Sequence, residues 1–385
     1  MKKTKKYTFR KFIGDIHLWL GIASALTLFF ICLSGTLYVF NKEVAQILEP
    51  EKYSIEKGST IFPLEQLIAN TAAETNGKVT RITYSDDPTA PYELQVSSGK
   101  EDKRGKTYFV NQYTNTVLGN SDGPSSDFMM TMFKMHRWLL FDTEIGRPIV
   151  GISTIIFIIL SVSGLIIWLP KKIKGRKSFK AGLNIKFSAK WKRINHDLHN
   201  VLGFYSLIFL LIIALTGLSW SFEWYKDGMS TVLNAEVFGG RNEKKPTADI
   251  PNNAAQLSID EIAKAAKKVF VYNGTTTISL PKKAEDLFEV TKKNALNLNK
   301  ASTDRTFINP YTASVIKTEY FADKSFGEKI AAQIKPIHTG EIYGLFSKII
   351  YFIVCLIATS LPVTGLIIWI NKLNKKPKRK KLIAE

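Results

Sequence analysis

The chain has 385 residues, of which 45% are hydrophobic, and it carries a formal net charge of +20. The apolar residues are gathered in four blocks, and the basic residues lie beside these blocks. This arrangement disfavours a soluble domain and a nucleic-acid-binding face, and it indicates a membrane protein in contact with the lipid bilayer.

Four apolar blocks are long enough to cross a bilayer, which takes about 20 residues of helix. They lie at residues 18–40, 149–169, 201–222 and 345–370. Lysines precede the first block, as they do in a signal peptide. Its apolar stretch is too long for that, however, and no small-residue cleavage site follows, so we expect it to be retained. The sequence therefore predicts a mainly α-helical membrane protein with four transmembrane helices.

Lysine and arginine cluster beside one end of each predicted span. Residues 1–16, 171–193 and 372–385 hold 23 basic residues and two acids, Asp15 and Glu385, which leaves 30 basic and 31 acidic residues elsewhere. Because basic segments stay on the cytoplasmic side, this pattern predicts that both termini are cytoplasmic. We expect a multi-pass protein of the bacterial inner membrane whose two long connections lie in the periplasm.

The predicted organisation follows from these spans in chain order. It comprises a basic N terminus (1–16), TM1 (17–40), a first periplasmic domain (41–135), a periplasmic elbow with TM2 (136–169), a basic loop (170–198), TM3 (199–222), a second periplasmic domain (223–337), TM4 (338–370) and a basic tail (371–385).

Each periplasmic connection shows the same order of predicted elements. An amphipathic helix, at 63–75 or 258–270, is followed by an Asn-Gly turn and by short runs with strand character. The predicted strands are 79–84, 92–96 and 107–110 in the first connection, and 275–280, 287–291 and 306–308 in the second. We expect two small α+β domains, each with one modest core. They either contact a substrate or only brace the spans.

The two halves of the chain resemble each other. SGLIIW at 163–168 recurs as TGLIIW at 364–369, and FVNQYTNTV at 109–117 recurs as FINPYTASV at 307–315. The repeated unit is a span, an outer domain and a second span. We therefore predict a four-helix bundle built by internal duplication, with an approximate twofold axis along the membrane normal.

All five histidines lie at or just outside the end of a predicted span. The predicted topology places His17, His196 and His199 at the cytoplasmic end, and His136 and His338 at the outer end. Facing imidazoles in a four-helix bundle are a common way to hold a b-type haem. Zinc is the alternative, although it usually takes three or four protein ligands.

Small residues follow the two histidines that open the first and third spans. The fourth, seventh and eighteenth positions after each histidine hold a glycine, a serine and a glycine, and these positions stay on one helix face. They are Gly21, Ser24 and Gly35 after His17, and Gly203, Ser206 and Gly217 after His199. Such residues leave room for a porphyrin beside the imidazole, or they allow close helix packing, which membrane helices favour generally.

With its His-x-x-x-Gly starts at 17–21 and 199–203 and its Ser/Thr-Gly-Leu span ends, the chain resembles the PepSY-associated transmembrane family. Members of that family include bacterial inner-membrane ferric-siderophore reductases. The resemblance covers essentially the whole chain, with two PepSY-like outer domains. It implies two b-type haems that carry electrons across the membrane to ferric iron in a siderophore. The implied axial ligands are His17 with His199 for the inner haem and His136 with His338 for the outer haem.

Other residues near the two layers are candidates for supporting roles. His196, one turn before His199, is the alternative ligand of the inner layer. Arg137, Arg147 and Arg193 either pair with haem propionates or anchor the protein at the membrane surface. The chain has no nucleotide-binding fingerprint, so its electron donor is an unidentified protein on the cytoplasmic side or a membrane pool.

The expected activity is that of a ferric-siderophore reductase, an oxidoreductase with no catalytic residue separate from its haems. Two alternatives stay open. The protein is a haem carrier for another periplasmic acceptor, or it is a haem-free regulator or sensor that binds peptides or proteases. Cys32 and Cys355 lie inside predicted spans, where we expect them to pack as small apolar side chains.

Overall fold

The structure is a computed structural model that describes residues 7–99, 105–171, 178–239, 245–251 and 255–374. Its four long helices are α1 (Phe9–Tyr38), α6 (Thr143–Trp168), α8 (Trp191–Leu218) and α12 (Leu345–Leu373). All four are long and apolar enough to cross a membrane. The predicted apolar spans are therefore confirmed as helices, three of which begin before the apolar block. A cytoplasmic location was also predicted for the basic residues at 1–6, 172–177 and 375–385, which lie outside the described residues.

The four long helices pack side by side, each against two of the others. Both α1 and α8 contact α6 and α12. Between α1 and α12, the Oγ1 atoms of Thr36 and Thr359 lie 3.1 Å apart. Leu210 of α8 packs against Val354 and Ala358 of α12 in an apolar cluster. Because successive helices are antiparallel, as the contacts of Gly164 with His17 and of Gly365 with His199 show, the start of α1, the end of α12 and the described residues between α6 and α8 lie at one end, which we call the basic end.

The two long connections fold together into one antiparallel sheet at the opposite end, which we call the domain end. The first connection supplies β1 (Lys78–Tyr84), β2 (Tyr92–Ser97), β3 (Lys106–Asn111) and β4 (Thr116–Asn120). The second supplies β5 (Gly274–Ser279), β6 (Phe288–Asn294), β7 (Asp304–Ile308) and β8 (Val315–Glu319). The strand order is β4-β3-β2-β1-β5-β6-β7-β8. All six predicted strands are present, and β4 and β8 are additional.

The expectation of one core for each connection is wrong, because β1 pairs with β5. This pairing places Ile82 opposite Ile278, and both side chains belong to a single apolar core. Two helices, α4 (Leu64–Thr75) and α10 (Ile259–Val269), contribute to that core. Asp260 of α10 accepts a hydrogen bond from the backbone nitrogen of Leu64 at 2.9 Å, which caps α4 across the junction. Joining the two sets of strands also removes two unpaired sheet edges.

Short helices connect the sheet to the long helices. They are α2 (Asn41–Leu48), α3 (Pro50–Tyr53), α5 (Pro124–Trp138), α9 (Glu223–Leu233) and α11 (Phe326–Thr339), with a 3-10 turn at Phe321–Asp323. A further short helix, α7 (Lys180–Leu183), lies between α6 and α8 at the basic end. Leu139 and Leu140 adopt left-handed backbone conformations, with φ of 52° and 64°, and interrupt the helix between α5 and α6. Gly340, with φ of 74°, ends α11. The outer histidines therefore lie on helices of their own, α5 and α11.

Candidate functional site

Four of the five histidines form two pairs across the assembly of long helices. The ring centroids of His17 on α1 and His199 on α8 lie 6.4 Å apart, with their planes at 89°. The centroids of His136 on α5 and His338 on α11 lie 6.1 Å apart, with their planes at 51°. We call them the basic-end pair and the domain-end pair. The structure thus brings together the same partners that the family resemblance implies.

The two pairs lie at different depths along the long helices. His136 contacts α1 at Ile31 and Gly35, which lie about four and five helical turns after His17. At a rise of 1.5 Å per residue, the two layers are about 21–27 Å apart along the helix axis. The pairs are therefore separate sites, one near each end of the apolar helices.

In the basic-end pair, each imidazole is held by a hydroxyl group of a neighbouring helix. The Nδ1 atom of His17 lies 3.0 Å from Oγ of Ser163, and that of His199 lies 2.9 Å from Oγ1 of Thr364. Both hydroxyl groups donate their own hydrogen to a backbone carbonyl, of Leu160 and Ser360 respectively. They must therefore accept from the imidazoles, so both rings carry their proton on Nδ1.

In the domain-end pair, backbone carbonyls take the place of the hydroxyl groups. His136 donates from Nδ1 to the carbonyl oxygen of Ile31 at 2.8 Å, and His338 donates to that of Ile213 at 2.9 Å. Thr216 Oγ1 lies a further 3.2 Å from Nδ1 of His338. A carbonyl oxygen can only accept, so these rings also carry their proton on Nδ1. All four imidazoles keep a lone pair on Nε2, the state in which histidine binds a metal.

Two of the small residues predicted to flank the inner ligand lie instead against the outer imidazoles. A Cβ atom at Gly35 would lie 2.9 Å from ring atoms of His136, and one at Gly217 would lie 3.0 Å from His338. Both glycines follow a histidine at the predicted helical spacing. However, 18 residues of helix span about 27 Å, so each glycine lies in the other layer. These glycines make room for an imidazole.

The basic-end pair opens into a cavity of about 340 Å³ between the long helices. Both imidazoles line it, together with Gly21 and Gly203. Two predicted residues, Ser24 and Ser206, are not among the described residues that line it. Each is buried and donates its hydroxyl hydrogen to a carbonyl of its own helix, of Leu20 and Leu202 respectively. The role predicted for these two serines beside the ligand stays a prediction.

His196 also lines this cavity, at its exposed end. Its Nδ1 atom lies 3.6 Å from Oδ1 of Asp197, whose side chain is buried. Arg193 donates to the same Asp197 oxygen at 2.7 Å, so the negative charge of Asp197 is balanced within the protein. His196 therefore stands beside the basic-end pair and is not part of it.

At the domain end, three buried donors have no acceptor within the described protein. They are Nε1 of Trp138, Nε of Arg147 and Nε2 of Gln333. Arg137 lies over the rings of Phe133 and Trp138 at 5.3 Å. A buried N–H group without a partner is costly, and a carboxylate of a bound cofactor is the kind of acceptor that would satisfy it. The sequence indicated Arg147 and Arg137 as candidates, but it did not indicate that the indole nitrogen of Trp138 lacks an acceptor.

The polar face of the sheet lies toward the domain ends of the long helices. The backbone nitrogen of Lys300, in the β6–β7 loop, donates to the carbonyl of Ile342 between α11 and α12 at 2.7 Å. Glu93 on β2 and Lys293 on β6 are exposed. Partial desolvation by the surrounding protein raises the pKa of Glu93, against the opposing effect of Lys42 on α2, and partial desolvation with Lys42 nearby lowers the pKa of Lys293. Charged side chains of both signs therefore face the domain-end region.

The distances between paired rings match those expected for one metal atom between two imidazoles. A metal–nitrogen bond of about 2 Å on each side places the ring centroids roughly 6 Å apart. Among the described residues, no group of three or more His, Cys, Asp or Glu side chains is placed to hold a metal ion. Two imidazoles are enough to hold a haem iron, because the porphyrin would supply its other four ligands.

The profile of the PepSY-associated TM region matches residues 15–372. No curated protein matches the chain.

Proposed function

Because the chain belongs to the PepSY-associated transmembrane family, we propose that this membrane protein holds two b-type haems and passes electrons across the bilayer to ferric siderophores. In this proposal the basic end is cytoplasmic and the domain end is periplasmic, as the distribution of lysine and arginine favours. The membrane is the bacterial inner membrane. The two halves arose by duplication, each with a PepSY-like part of the shared sheet.

The observation that carries the proposal is the geometry of the two histidine pairs. Both place two imidazoles at a separation suited to one iron atom, 6.4 and 6.1 Å between centroids. In all four rings the acceptor at Nδ1 fixes the tautomer that leaves Nε2 free. Such partners orient metal-binding histidines and make them more basic.

The proposed roles of the residues follow from their depth. His17 and His199 hold the haem near the cytoplasm, and His136 and His338 hold the haem near the periplasm. Gly21 and Gly203 give the inner haem room, whereas Gly35 and Gly217 give the outer imidazoles room. Trp138 and Arg147 receive carboxylates of the outer haem. When bound, each haem supplies reversible one-electron iron chemistry.

The proposed substrate is iron held by a siderophore beside the domain-end pair. One electron converts Fe³⁺ to Fe²⁺, whose lower charge is a poorer match for hard anionic oxygen ligands, so the chelator releases the iron. The sheet lies on the same side as this pair, and its charged face offers contacts to a polar chelate. The protein is therefore proposed to act as a ferric-siderophore reductase.

An absorption spectrum of the purified protein, with and without dithionite, tests the proposal. We expect two b-type haems in the wild type, loss of one in His199→Ala and loss of the other in His136→Ala. His196→Ala is the matched control and should keep both, because Asp197 holds His196 beside the pair. A colourless wild type, expressed with adequate haem, would contradict the proposal and favour a haem-free regulator.

The substrate is tested separately, by stopped-flow oxidation of the dithionite-reduced protein with ferrioxamine. We expect reoxidation together with release of Fe²⁺ to a ferrous chelator. A two-haem protein that ferrioxamine does not reoxidise would be an electron carrier for another acceptor.

A further inference from the structure

The basic end carries a ring of exposed cations. This ring, which we call the basic rim, consists of Lys11, Lys171, Lys180, Lys186, Lys190, Lys192, Arg193 and Lys372. The described residues of this end hold only two acids against these eight cations. Asp15 accepts a hydrogen bond from the hydroxyl of Tyr7 at 2.7 Å, and Asp197 is buried and paired with Arg193. The positive-inside rule accounts for the sign of this end, and the excess of cations over acids leaves it strongly cationic.

The basic rim surrounds the exposed mouth of the inner cavity. Lys372 and the exposed His196 both line that cavity. His196 lies just before His199 on α8, so the basic-end pair lies about one helical turn below the mouth. A molecule seated on the rim would therefore approach the basic-end pair closely.

The flank of the same cavity between α6 and α8 is closed by aromatic side chains. The ring of Trp168 stacks on Phe204 at 3.8 Å, with only 6° between the planes. Phe179 packs on the indole at 5.8 Å, and Nε1 of Trp168 donates to the carbonyl of Gly182 at 2.9 Å. These stacked rings cover this flank, whereas His196 and Lys372 at the mouth toward the basic rim are exposed.

We propose that the basic rim docks a small acidic protein that carries one electron at a time, and that this carrier supplies the electrons. The proposal rests on the proposed function, because it assigns a redox centre to His17 and His199. The carrier is oxidised by one electron and that centre is reduced by one, with no bond or proton exchanged. A cationic ring around a redox site attracts an acidic partner and orients it. A membrane quinol would gain nothing from these charges, and it would have to enter from the bilayer.

Binding of a plant-type [2Fe–2S] ferredoxin to the detergent-solubilised full-length protein tests the docking. We expect saturable binding at about 50 mM NaCl that weakens at least about tenfold at about 300 mM, because salt screens exposed charges. The triple variant Lys180→Glu, Lys190→Glu, Lys192→Glu should lose at least about tenfold in affinity. The matched control, Lys57→Glu, Lys264→Glu, Lys268→Glu, reverses three exposed lysines at the domain end and should bind as the wild type does.

Anaerobic stopped-flow mixing with reduced ferredoxin then links docking to electron entry. Reduction should slow at least about tenfold in the rim variant and not in the control, while dithionite reduces all three proteins alike. Salt-independent binding, an unaffected rim variant, or reduction by a menaquinol analogue that outpaces ferredoxin would overturn the docking proposal. A colourless wild type would instead overturn the proposed function, so the two failures are distinguishable.

Discussion

The basic-end and domain-end histidine pairs share a geometry but are held in opposite ways. At the basic end, the histidines belong to the long helices, and side-chain hydroxyls of Ser163 and Thr364 fix their rings. At the domain end, the histidines lie on short helices and bind backbone carbonyls, each against a glycine. Glycines also lie beside the basic-end rings, but a Cβ at Gly164 or Gly365 would lie 3.3 or 3.4 Å from them, against 2.9 and 3.0 Å at the domain end. The basic-end pair thus depends more on a hydroxyl group that is present, and the domain-end pair more on a side chain that is absent.

The largest expected effect is at the glycines of the domain-end pair. In Gly35→Leu or Gly217→Leu the new Cβ would lie at 2.9 or 3.0 Å from the imidazole ring, inside the carbon contact distance of about 3.5–4.0 Å. The ring must move away, so we expect the purified protein to lose the outer haem and keep the inner one. Haem stoichiometry and the dithionite difference spectrum measure this.

Gly228→Leu is the control, because a Cβ at Gly228 meets no atom within 4 Å. It should retain both haems. If Gly35→Leu also retained both, the proposed dependence of the domain-end pair on a glycine would be wrong.

The hydroxyl partners of the basic-end pair should give an intermediate effect. Ser163→Ala and Thr364→Val each remove the acceptor at Nδ1 without adding bulk. We expect the affinity of the inner site for haem to fall by about 10- to 100-fold, as is usual when such a partner is lost. Transfer of haem to an excess of apomyoglobin measures the change, and the outer haem should transfer at the wild-type rate.

Thr154→Val is the control on α6, since the hydroxyl of Thr154 donates only to the carbonyl of Val150. Its haem transfer should match that of the wild type. Equal loss of both haems in Ser163→Ala would show that the two layers are coupled, and the simple contrast between the pairs would fail.

The smallest expected effect distinguishes the two members of the domain-end pair. His338 has Thr216 Oγ1 at 3.2 Å in addition to a carbonyl. Thr216→Val should therefore weaken the outer haem site by about 0.5–1.5 kcal/mol, the net value of one hydrogen bond. A haem-transfer assay on the outer site measures this.

The matched variant is Ser34→Ala, since Ser34 and Thr216 are equivalent positions of the two halves, just before Gly35 and Gly217. The hydroxyl of Ser34 donates to carbonyls of its own helix, including that of Phe30. Ser34→Ala should leave the outer haem unchanged. A larger loss of haem affinity in Ser34→Ala than in Thr216→Val would contradict the view that the hydroxyl of Thr216 supports His338.

Periodicity in the sequence predicted most of the fold. The apolar blocks predicted the four long helices, and alternation predicted six of the eight strands. The elbow predicted between His136 and the second span corresponds to the interruption at Leu139 and Leu140. The pairing of β1 with β5 was not predicted, because Ile82 and Ile278 have the pattern of any half-buried strand and do not specify a partner.

The candidate site was predictable in its histidines and less so in their surroundings. Ser163 and Thr364 open the repeated SGLIIW and TGLIIW segments, so the repeat marked them without showing what they bind. Gly35 and Gly217 were found by spacing and assigned to the wrong layer, since helical phase gives a face and not a depth. Ser24 and Ser206 satisfy their own helices, a use of serine that composition cannot separate from ligand contact.

The sequence by itself determined the four apolar helices, the basic end and the set of histidines, because composition and spacing are local properties of the chain. The family resemblance implied which imidazoles pair, whereas only the tertiary structure decided that one sheet joins both connections and that His136 and His338 bind the carbonyls of Ile31 and Ile213. Every residue offers the same carbonyl group, so a partner of this kind leaves no trace in the sequence and is chosen only when the helices pack.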